Sequence, residues 1–382
     1  MAYVKSFIKW AGGKEKELPI ILSNLPDKFE RYIEPFVGGG SVYLNINCDK
    51  SIINDKSDEL ILLYSMIKNN NQKFIKKLKE INKNWNLLER IVENNSKELI
   101  SLYKNYSKQV NRKQINKRIK VNYSDKIYEF VLEHSEEFNG LLSETFNIRI
   151  DNFLSEIKKN LLSKIERMRK IELNRGQMSD QNILENLECA FKSAYYMHFR
   201  YLYNSKLELE IEDGFYCAIF YFIREYCYAS MFRYNANGKF NVPYGGISYN
   251  RKDFDKKINN LNSSKLRSYM KTTDIYNLDF EDFCKKIKLT SKDFIFLDPP
   301  YDTEFSTYAK NEFGKNDQIR LANFLKNTKA KFMLIIKNTD FIYDLYNVKG
   351  LYIKSFDKKY LVSIKNRNDK NVEHLIITNY EI

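Results

Sequence analysis

The residue types most suited to chemistry stand together in the tetrapeptide Asp298-Pro299-Pro300-Tyr301, directly after the apolar run 294–297. Each proline fixes φ and lacks an N–H, so this turn is stiff and presents the Asp298 carboxylate and the Pro299 carbonyl oxygen as acceptors. Two acceptors that take the hydrogens of an exocyclic base amine free its lone pair to attack a sulfonium methyl group, while Tyr301 stacks on the base. The tetrapeptide therefore predicts methyl transfer to an amine, against the simpler interpretation of a loop after a buried strand.

Two other stretches have the residue types needed to bind a methyl donor. Gly38 and Gly40 lie in a turn between an extended apolar segment and a predicted helix start, where small residues let a ligand approach the backbone. Asp55 follows the next predicted strand and would accept hydrogen bonds from a ribose. Near the N-terminus, Trp10 offers an aromatic face to a sulfonium or an adenine, and Lys14 would pair with a carboxylate. Alone, the glycine turn suits a nicotinamide cofactor equally well, and Trp10 has a packing role as its alternative.

The composition predicts a folded chain with a polyanionic partner. The 382 residues are 43% hydrophobic, enough for one large core or two smaller ones. An excess of 63 Lys and Arg over 49 acidic residues gives a net charge of +14 that favours nucleic acid, although a compositional bias towards Lys contributes to it. The five cysteines form no Cys-x-x-Cys pair and the three histidines are far apart in sequence, so we expect no metal site. No apolar run suits a bilayer, and we expect a cytoplasmic protein.

The elements that must position these residues form a discontinuous α/β domain. Strands are predicted at 31–37, 51–54, 294–297, 331–336, 351–356 and 374–378. Between about 59 and 193 the periodicity becomes helical, which indicates an insertion. Asn237-Gly238 separates the alternating segments 231–234 and 239–242, and this is the strongest short-range signal for a β-hairpin.

One part of the insertion is strongly basic. The segment 104–126 carries eight Lys and Arg residues against the single acid Asp125, with Tyr103, Tyr106 and Tyr123 interleaved. This pattern fits a surface that follows a phosphate backbone and stacks on bases. The alternative, a solvated helix face in a Lys-rich protein, is at least as well supported.

Taken together, these stretches resemble the Dam-type, or D12 class, family of adenine-N6 DNA methyltransferases. The resemblance rests on separated motifs in the family's order, at 9–14, 34–42, 54–55, 279–280, 298–301, 338–340 and 373–380. The region 233–245 is similar to the hairpin that this family inserts into the major groove. The set is highly specific and covers both ends of the chain, but the segment from about 82 to 193 has no counterpart in compact members.

The resemblance implies the fold class and the domains. The fold is expected to be α/β, with a Rossmann-like class I methyltransferase sheet, helices on both faces, and an inserted, mainly helical target-recognition domain that carries a β-hairpin. Residues 1–58 and 270–382 would form the catalytic, S-adenosylmethionine-binding domain, and 59–269 the target-recognition domain. Within the latter lie the extra helical insertion at about 82–193 and the DNA-reading hairpin at about 228–246.

The resemblance also implies the site residues. The S-adenosylmethionine site would comprise Trp10, Lys14, Pro35, Phe36, Gly38, Gly40, Asp55, Asp279, Phe280 and Asp298. The catalytic residues would be Asp298, Pro299, Pro300 and Tyr301. DNA would be contacted by Tyr228, Arg233, Asn235 and Pro243. Arg233 would read a guanine edge, with a phosphate or structural contact as the alternative.

The implied function is site-specific methylation of DNA. A methyl group would pass from S-adenosylmethionine to the N6 amine of an adenine flipped out of a short double-stranded site, leaving S-adenosylhomocysteine and requiring no metal. The site would contain 5′-GA, with GATC as the leading choice. The enzyme would be encoded by a bacterium or a phage, act at the nucleoid, and protect DNA from a separately acting restriction endonuclease.

Two other functions are compatible with parts of the sequence. An RNA or protein amide N-methyltransferase is disfavoured by aspartate rather than asparagine at position 298 and by a hairpin sized for a DNA groove. A non-catalytic nucleic-acid-binding protein is disfavoured by the intact glycine turn and the intact tetrapeptide.

Overall fold

The computed structural model describes residues 3–110, 117–142, 148–300, 313–359 and 371–382. The chain divides into two compact units. The first, called the sheet unit, comprises Met1–Asn71 and Asn260–Ile382, and the second, called the helical unit, comprises Gln72–Asn259. The helical unit is therefore inserted between two segments of the sheet unit.

Fourteen α-helices lie in the described ranges. They are α1 (Leu18–Ser23), α2 (Asp58–Lys68), α3 (Gln72–Asn94), α4 (Ser96–Gln109), α5 (Lys117–Glu133), α6 (Asn139–Leu142), α7 (Ile150–Arg175), α8 (Asp180–Asn204), α9 (Asp213–Tyr226), α10 (Phe254–Leu261), α11 (Ser264–Met270), α12 (Phe280–Ile287), α13 (Lys315–Asn327) and α14 (Asp340–Tyr346). Short 3₁₀ turns occupy Tyr43–Asn45, Tyr228–Ser230 and Ile247–Tyr249.

The sheet unit is built on a sheet to which the described residues contribute seven strands. They are β1 (Arg31–Glu34), β2 (Lys50–Asn54), β3 (Thr273–Tyr276), β4 (Asp293–Leu297), β5 (Lys331–Lys337), β6 (Tyr352–Lys359) and β7 (Asn371–Thr378). Their order is β3-β2-β1-β4-β5-β7-β6, and the strands are parallel except where β7 pairs with β5 and β6. The predicted class I methyltransferase sheet is confirmed.

Helices cover both faces of this sheet. On one face, alternate strand residues such as Ile33, Ile295 and Leu334 belong to one apolar cluster with residues of α12, α13 and α14. Because side chains alternate along a strand, Thr273 of β3 points to the opposite face. There Lys68 of α2 donates a hydrogen bond to the Thr273 carbonyl oxygen at 2.6 Å. Burial on both faces explains why the central strands read as continuous apolar runs.

One local expectation in the sheet unit was wrong, and one strand was not predicted. The segment after the glycine turn, predicted to start a helix, forms only the 3₁₀ turn Tyr43–Asn45, and the chain enters β2 five residues later. The side chain of Asn45 donates to the Ser41 carbonyl oxygen at 2.8 Å and ties this short connection together. In addition, β3 was not predicted, because its four residues have no alternation of their own and are recognised through their pairing with β2.

The helical unit has an aromatic core. The long helices α3 and α8 pack against α9, which is buried along nearly its whole length, and α7 packs against α8. Trp85 of α3 lies at the centre of this core, with its ring 4.5 Å from that of Tyr226 and 5.4 Å from that of Phe222. Aromatic side chains bury large apolar areas, and such clusters stabilise a helical unit strongly.

The tyrosines in the basic segment of this unit belong to the core. Tyr103, Tyr106 and Tyr123 are each fully buried, and the rings of Tyr106 and Tyr123 lie 4.9 Å apart. The expectation that these rings offer a stacking surface for bases was therefore wrong.

Of the helices in the described ranges, none combines the length and the apolar character needed to cross a bilayer.

Candidate active site

Asp298 lies at the carboxyl edge of the sheet, where the two central strands end side by side. β1 and β4 are parallel neighbours, with Ile33 opposite Ile295. The chain places β2 and β3 on one side of β1 and β4 on the other, so this edge is the topological switch point at which open α/β sheets bind ligands. Asp298 is the first residue after β4, and its side chain is 17% exposed.

The N-terminal segment brings a cation to this carboxylate. Lys14 Nζ donates hydrogen bonds to Asp298 Oδ2 and, at 2.8 Å, to the Gly12 carbonyl oxygen. Lys14 is only 2% exposed, and a buried charge needs partners of this kind. A Cβ on Gly12, whose φ is +80°, would lie 3.8 Å from Asp298 Oδ2. The predicted cofactor residue Lys14 thus also orients the predicted catalytic aspartate.

Close packing explains the glycines in the turn after β1. A Cβ on Gly38 would lie 3.0 Å from Cδ1 of Trp10, which is itself partly exposed. Gly40 has a φ of +73°, and a Cβ there would lie 2.5 Å from the hydroxyl oxygen of Tyr64. The same hydroxyl donates to the Gly38 carbonyl oxygen at 3.0 Å. A larger residue at position 38 would therefore press against Trp10, and one at position 40 would displace Tyr64.

Asp55 follows β2 and closes on the glycine turn. Its carboxylate accepts hydrogen bonds from the backbone N–H of Gly38 at 3.0 Å and of Ser57 at 2.9 Å. Burial raises the pKa of Asp55, against the lowering effect of these backbone donors. Each carboxylate oxygen has two lone pairs, so both oxygens retain acceptor capacity for a ligand hydroxyl.

Asn54, the residue before Asp55, joins three strand ends. It is 1% exposed, and its amide donates to the carbonyl oxygens of Pro35 and Leu278 at 3.0 Å each. Its Oδ1 accepts from the Leu278 N–H at 2.9 Å. This residue fixes the carboxyl ends of β1, β2 and β3 relative to each other. Asn54 lies in one of the sequence motifs without a predicted role, although a polar residue at the end of an apolar strand was the available signal.

An aromatic cluster lies beside these strand ends. The rings of Phe36 and Phe280 are 5.7 Å apart, and Phe313 packs edge-on against Phe36 at 5.5 Å. Phe280 is 3% exposed, whereas Phe36 and Phe313 are partly exposed. Asp279 precedes Phe280 as the N-cap of α12. Phe313 was not among the predicted site residues, since nothing in its local sequence marks it.

A buried acid lies below Asp298 on β1. Glu34 is 2% exposed and accepts a hydrogen bond from the Tyr32 hydroxyl at 2.6 Å. Burial raises the pKa of Glu34 well above its usual range, and the nearby Asp298 carboxylate acts in the same direction. Burial and the Asp298 carboxylate thus both oppose a negative charge on Glu34. The sequence placed Glu34 in the glycine motif without indicating that it would be buried.

The sheet unit thus connects the predicted cofactor and catalytic residues through direct contacts. Those placed along one edge are Trp10, Lys14, Pro35, Phe36, Gly38, Gly40, Asp55, Asp279, Phe280, Asp298, Pro299 and Pro300. Tyr301 lies outside the described residues. This edge combines a carboxylate, a cation, backbone groups exposed by glycine and aromatic rings, which are the groups needed to hold a zwitterionic nucleoside and to accept hydrogens from an amine.

The helical unit presents the predicted DNA-contacting residues on a hairpin. Its strands are joined by the Asn237-Gly238 turn, with Gly238 at a φ of +67°. Backbone hydrogen bonds link Asn241 to Arg233 at 3.1 Å and Tyr228 to Pro243 at 2.9 Å. The hairpin is therefore confirmed, with isolated bridges in place of two continuous strands.

The two faces of the hairpin differ in exposure. Phe232 and Phe240 are buried and their rings stack at 4.4 Å. The predicted contact residues Tyr228, Arg233, Asn235 and Pro243 are all exposed. Asn235 also has a structural role, because its Oδ1 accepts from the N–H groups of Asn237 and Lys239 at 3.0 Å each and caps the turn.

Helix α8 anchors the second strand of this hairpin. Asn204 makes two bonds to Phe240, accepting from its N–H at 2.8 Å and donating to its carbonyl oxygen at 2.9 Å. One turn earlier, Arg200 donates to the Val242 carbonyl oxygen at 3.3 Å, as does Tyr196 at 3.1 Å. The spacing 196, 200 and 204 puts these donors on one face of α8, so the hairpin is held rigidly by a helix.

The sheet topology and the turn at its switch point define the chain as a methyltransferase of the class I fold. Residues 10–90 and 152–361 match the family described as D12 class N6 adenine-specific DNA methyltransferase. The chain belongs to this family. The residues between the two matched ranges, 91–151, fall in the segment for which the sequence suggested no counterpart.

Individual relatives agree with this family. The Type II methyltransferase M.MjaIII of Methanocaldococcus jannaschii is 28% identical over 396 residues, which cover 99% of each chain. The Type II methyltransferase M.CviBI of Paramecium bursaria Chlorella virus NC1A is 40% identical over 164 residues, 42% of this chain and 60% of the relative. The DNA adenine methylase of Escherichia coli K12 is 40% identical over 77 residues, 20% of this chain and 27% of the relative. The predicted enzyme class, an adenine-specific DNA methyltransferase, is confirmed.

Proposed function

We propose that the protein transfers a methyl group from S-adenosylmethionine to the N6 amine of an adenine flipped out of a short double-stranded DNA site. The observation that carries this proposal is the position of Asp298, which follows β4 at the switch point and is held by the buried Lys14. We infer a site that contains 5′-GA, with GATC as the leading choice. The names of the two Type II relatives support a role as the modification enzyme of a restriction-modification system.

The residues at the carboxyl edge fit S-adenosylmethionine. The partly exposed Trp10 offers a ring to the sulfonium, and Asp55 has acceptor capacity for ribose hydroxyls. Asp279 and the ring of Phe280 suit the amine and the flat face of an adenine. Lys14 suits the methionine carboxylate, although it also pairs with Asp298. Bound here, the cofactor would supply an electrophilic methyl group on a sulfonium.

The chain's own residues would act mainly by positioning the amine. The Asp298 carboxylate and the Pro299 carbonyl oxygen would accept hydrogen bonds from its two N–H groups, which frees the nitrogen lone pair from the purine ring. One N–H proton must leave when the nitrogen gains the methyl group, and the Asp298 carboxylate would be the base in contact with it. Pro299 and Pro300 cannot donate a backbone hydrogen bond, so the turn offers acceptors without competing donors. Lys14 bonds to Asp298 Oδ2 and thereby orients the carboxylate. Tyr301 would stack on the extruded adenine.

The hairpin would supply sequence recognition. Arg233 is exposed, and its Nε donates to Asn241 Oδ1 at 3.2 Å, which orients the guanidinium while leaving its terminal nitrogens for a guanine edge. The Asn235 amide nitrogen and the ring of Pro243 lie on exposed positions of the same hairpin. Tyr228 is 53% exposed and would fill the space that the flipped base leaves.

Single-molecule sequencing tests the activity and the site together. The protein is expressed in a host without its own DNA methyltransferases, and genomic DNA is compared with that of cells carrying an empty vector. We expect N6-methyladenine in one short context that contains 5′-GA. Absence of the modified base, from cells whose purified protein binds S-adenosylmethionine in calorimetry, would reject the proposal.

Substitution of Arg233 tests the recognition role. Arg233→Ala should reduce discrimination at one base position by about 1 to 3 kcal/mol, since a bidentate guanine contact is lost. Lys239→Ala, an exposed cation on the same hairpin, is the matched control and should weaken binding equally on all sequences. Methylation rates on duplexes with single base changes give both values. Equal discrimination in Arg233→Ala and in the parent would assign Arg233 to a phosphate or structural contact.

A further inference from the structure

Helix α13 makes two contacts that the proposed chemistry does not use. Gln318, in its first turn, donates from Nε2 to the Pro300 carbonyl oxygen at 3.2 Å. Arg320 donates from one terminal nitrogen to Asp279 Oδ1 at 2.7 Å. One contact reaches the catalytic turn and the other reaches the acid of the proposed adenine pocket.

Gln318 is poorly explained by packing alone. Its side chain is fully buried, and within the described residues its Oε1 accepts no hydrogen bond. A buried carboxamide that uses only its donor is costly, because the acceptor loses its hydration without compensation. The donor meets the Pro300 carbonyl, the peptide group that ends the double-proline turn. Since prolines lack N–H groups, a donor from outside is needed to hold this turn.

Arg320 connects Asp279 to the rest of the sheet unit. Its other hydrogen bonds go to Glu281 at 3.0 and 3.1 Å and to Asp317 at 2.8 Å. Its guanidinium carbon lies 4.9 Å from the ring centre of Phe280. Asp279 receives both of its bonds, from Arg320 and from the Glu281 N–H, at Oδ1, so these contacts fix the direction of Oδ2. Partly exposed ion pairs such as those of Arg320 contribute little to the stability of the fold. This favours a role for Arg320 in orienting Asp279.

The first turn of α13 is itself well fixed. Asp317 Oδ2 accepts from the Gly314 N–H at 3.0 Å, and its Oδ1 accepts from Arg320. Gln318 and Arg320, two residues apart, therefore extend from the fixed N-terminal end of the helix. A rigid support matters because displacement of a reacting group by about 1 Å can reduce a rate about a hundredfold.

We propose that the first two turns of α13 position both parts of the site, in which Gln318 sets the catalytic turn and Arg320 sets the acid of the cofactor's adenine pocket. This inference rests on the proposed function of Asp298 and Asp279. It assigns the two residues to different steps, because Gln318 contacts the turn that receives the target base and Arg320 contacts the proposed cofactor pocket. Neither residue touches the reacting atoms.

Two substitutions should separate these effects. Gln318→Met removes the donor at similar size and should lower the single-turnover methylation rate about tenfold to a hundredfold at saturating substrates, with the dissociation constant of S-adenosylmethionine within about twofold. Arg320→Ala should raise that dissociation constant about tenfold, with the rate at saturating cofactor within about threefold. Arg320→Lys keeps the charge without the fork and should recover only part of the affinity. Calorimetry and single-turnover assays on the full chain supply both readouts.

Matched controls distinguish positioning from loss of structure. Lys285→Ala removes another cation that pairs with Glu281, at 2.8 Å, and should leave both readouts unchanged. If Gln318→Met does not fold, Gln318→Leu removes the same donor with another apolar side chain and carries the same expectation. Changes in rate and affinity that move together, or no change in either, overturn the proposal. Failure of the proposed function would instead appear in the unsubstituted protein, as absence of cofactor binding and of methylation.

Discussion

The two ends of β4 carry the same kind of ion pair in different surroundings. At the amino end, Arg31 of β1 pairs with Asp293 through two hydrogen bonds, at 2.7 and 2.6 Å. Immediately after the carboxyl end, Lys14 pairs with Asp298. Asp293 is 1% exposed and also accepts from the Thr290 N–H at 2.6 Å, whereas the Asp298 side chain is 17% exposed.

The difference shows how position in the sheet decides what an ion pair does. Both oxygens of the Asp293 carboxylate accept hydrogen bonds from the Arg31 guanidinium. Such a bidentate ion pair is well suited to joining two neighbouring strands. Asp298 follows the strand at the switch point, and its Oδ2 accepts from the ammonium group of Lys14. The pair at the amino edge holds β1 to β4, whereas the pair at the carboxyl edge lies where open α/β sheets bind ligands.

Removal of Asp298 should give the largest of the predicted effects. A small effect would contradict the proposed difference between the two ion pairs. We expect Asp298→Ala to lower the single-turnover methylation rate at least about a thousandfold, since the principal acceptor for the amine is lost. DNA binding, measured by fluorescence anisotropy, should stay within about threefold of the parent. Circular dichroism confirms that the variant is folded. Full activity in Asp298→Ala would contradict the proposed mechanism and the proposed difference between the ion pairs at the two edges of the sheet.

Removal of Arg31 should affect stability instead of catalysis. Arg31→Met leaves the buried Asp293 carboxylate without its cation and should lower the free energy of unfolding by about 3 kcal/mol. Urea denaturation followed by circular dichroism measures this loss. The methylation rate per folded molecule should equal that of the parent, because the amino edge lies at the opposite end of β4 from Asp298. A reduced rate at full folding would show that the two edges are coupled.

The elements predicted best from the sequence are those with a recognisable pattern within a few residues. The strands that end at Asp55 and Asp298 and the hairpin at Asn237-Gly238 each have a signal within a few residues, through apolar runs, prolines or a turn pair. The short strand β3 was missed because its structure is set by its partner β2. The prediction of a helix after Gly40 was wrong, because the short connection to β2 forms only a 3₁₀ turn.

Partners that are distant in sequence could not be predicted. Lys14 meets Asp298 across 284 residues, and a cofactor carboxylate was an equally reasonable partner for it. Arg320 has no motif that connects it to Asp279. The burial of Tyr103 and Tyr106 depends on how α4 packs with its neighbours, which the spacing of basic residues does not show. Motifs therefore located the candidate site, and tertiary packing determined which groups hold it.

A pH-dependent ion pair in the helical unit tests whether a pair outside the candidate active site affects only stability. This pair should give the smallest of the predicted effects. His134 of the α5–α6 connection contacts Glu98 at 2.9 Å and Glu137 at 3.0 Å. Burial lowers the pKa of His134, but the hydrogen bonds that its ring donates to both carboxylates, together with their charges, outweigh this effect, so the pKa is raised overall. The stability that this charge contributes is fully present below the unfolded pKa of about 6.5 and is lost as the pH rises through the folded value.

Denaturation of the parent and of His134→Gln across pH values from about 5.5 to about 8.5 isolates this contribution. The parent should exceed the variant in unfolding free energy at the acidic end, by no more than about 1 kcal/mol because the pair is partly exposed, and the difference should shrink towards the basic end. The ratio of their methylation rates should stay constant over the same range, as expected for a structural pair like that of Arg31. A stability difference that is independent of pH would mean that His134 is held by packing and not by its charge.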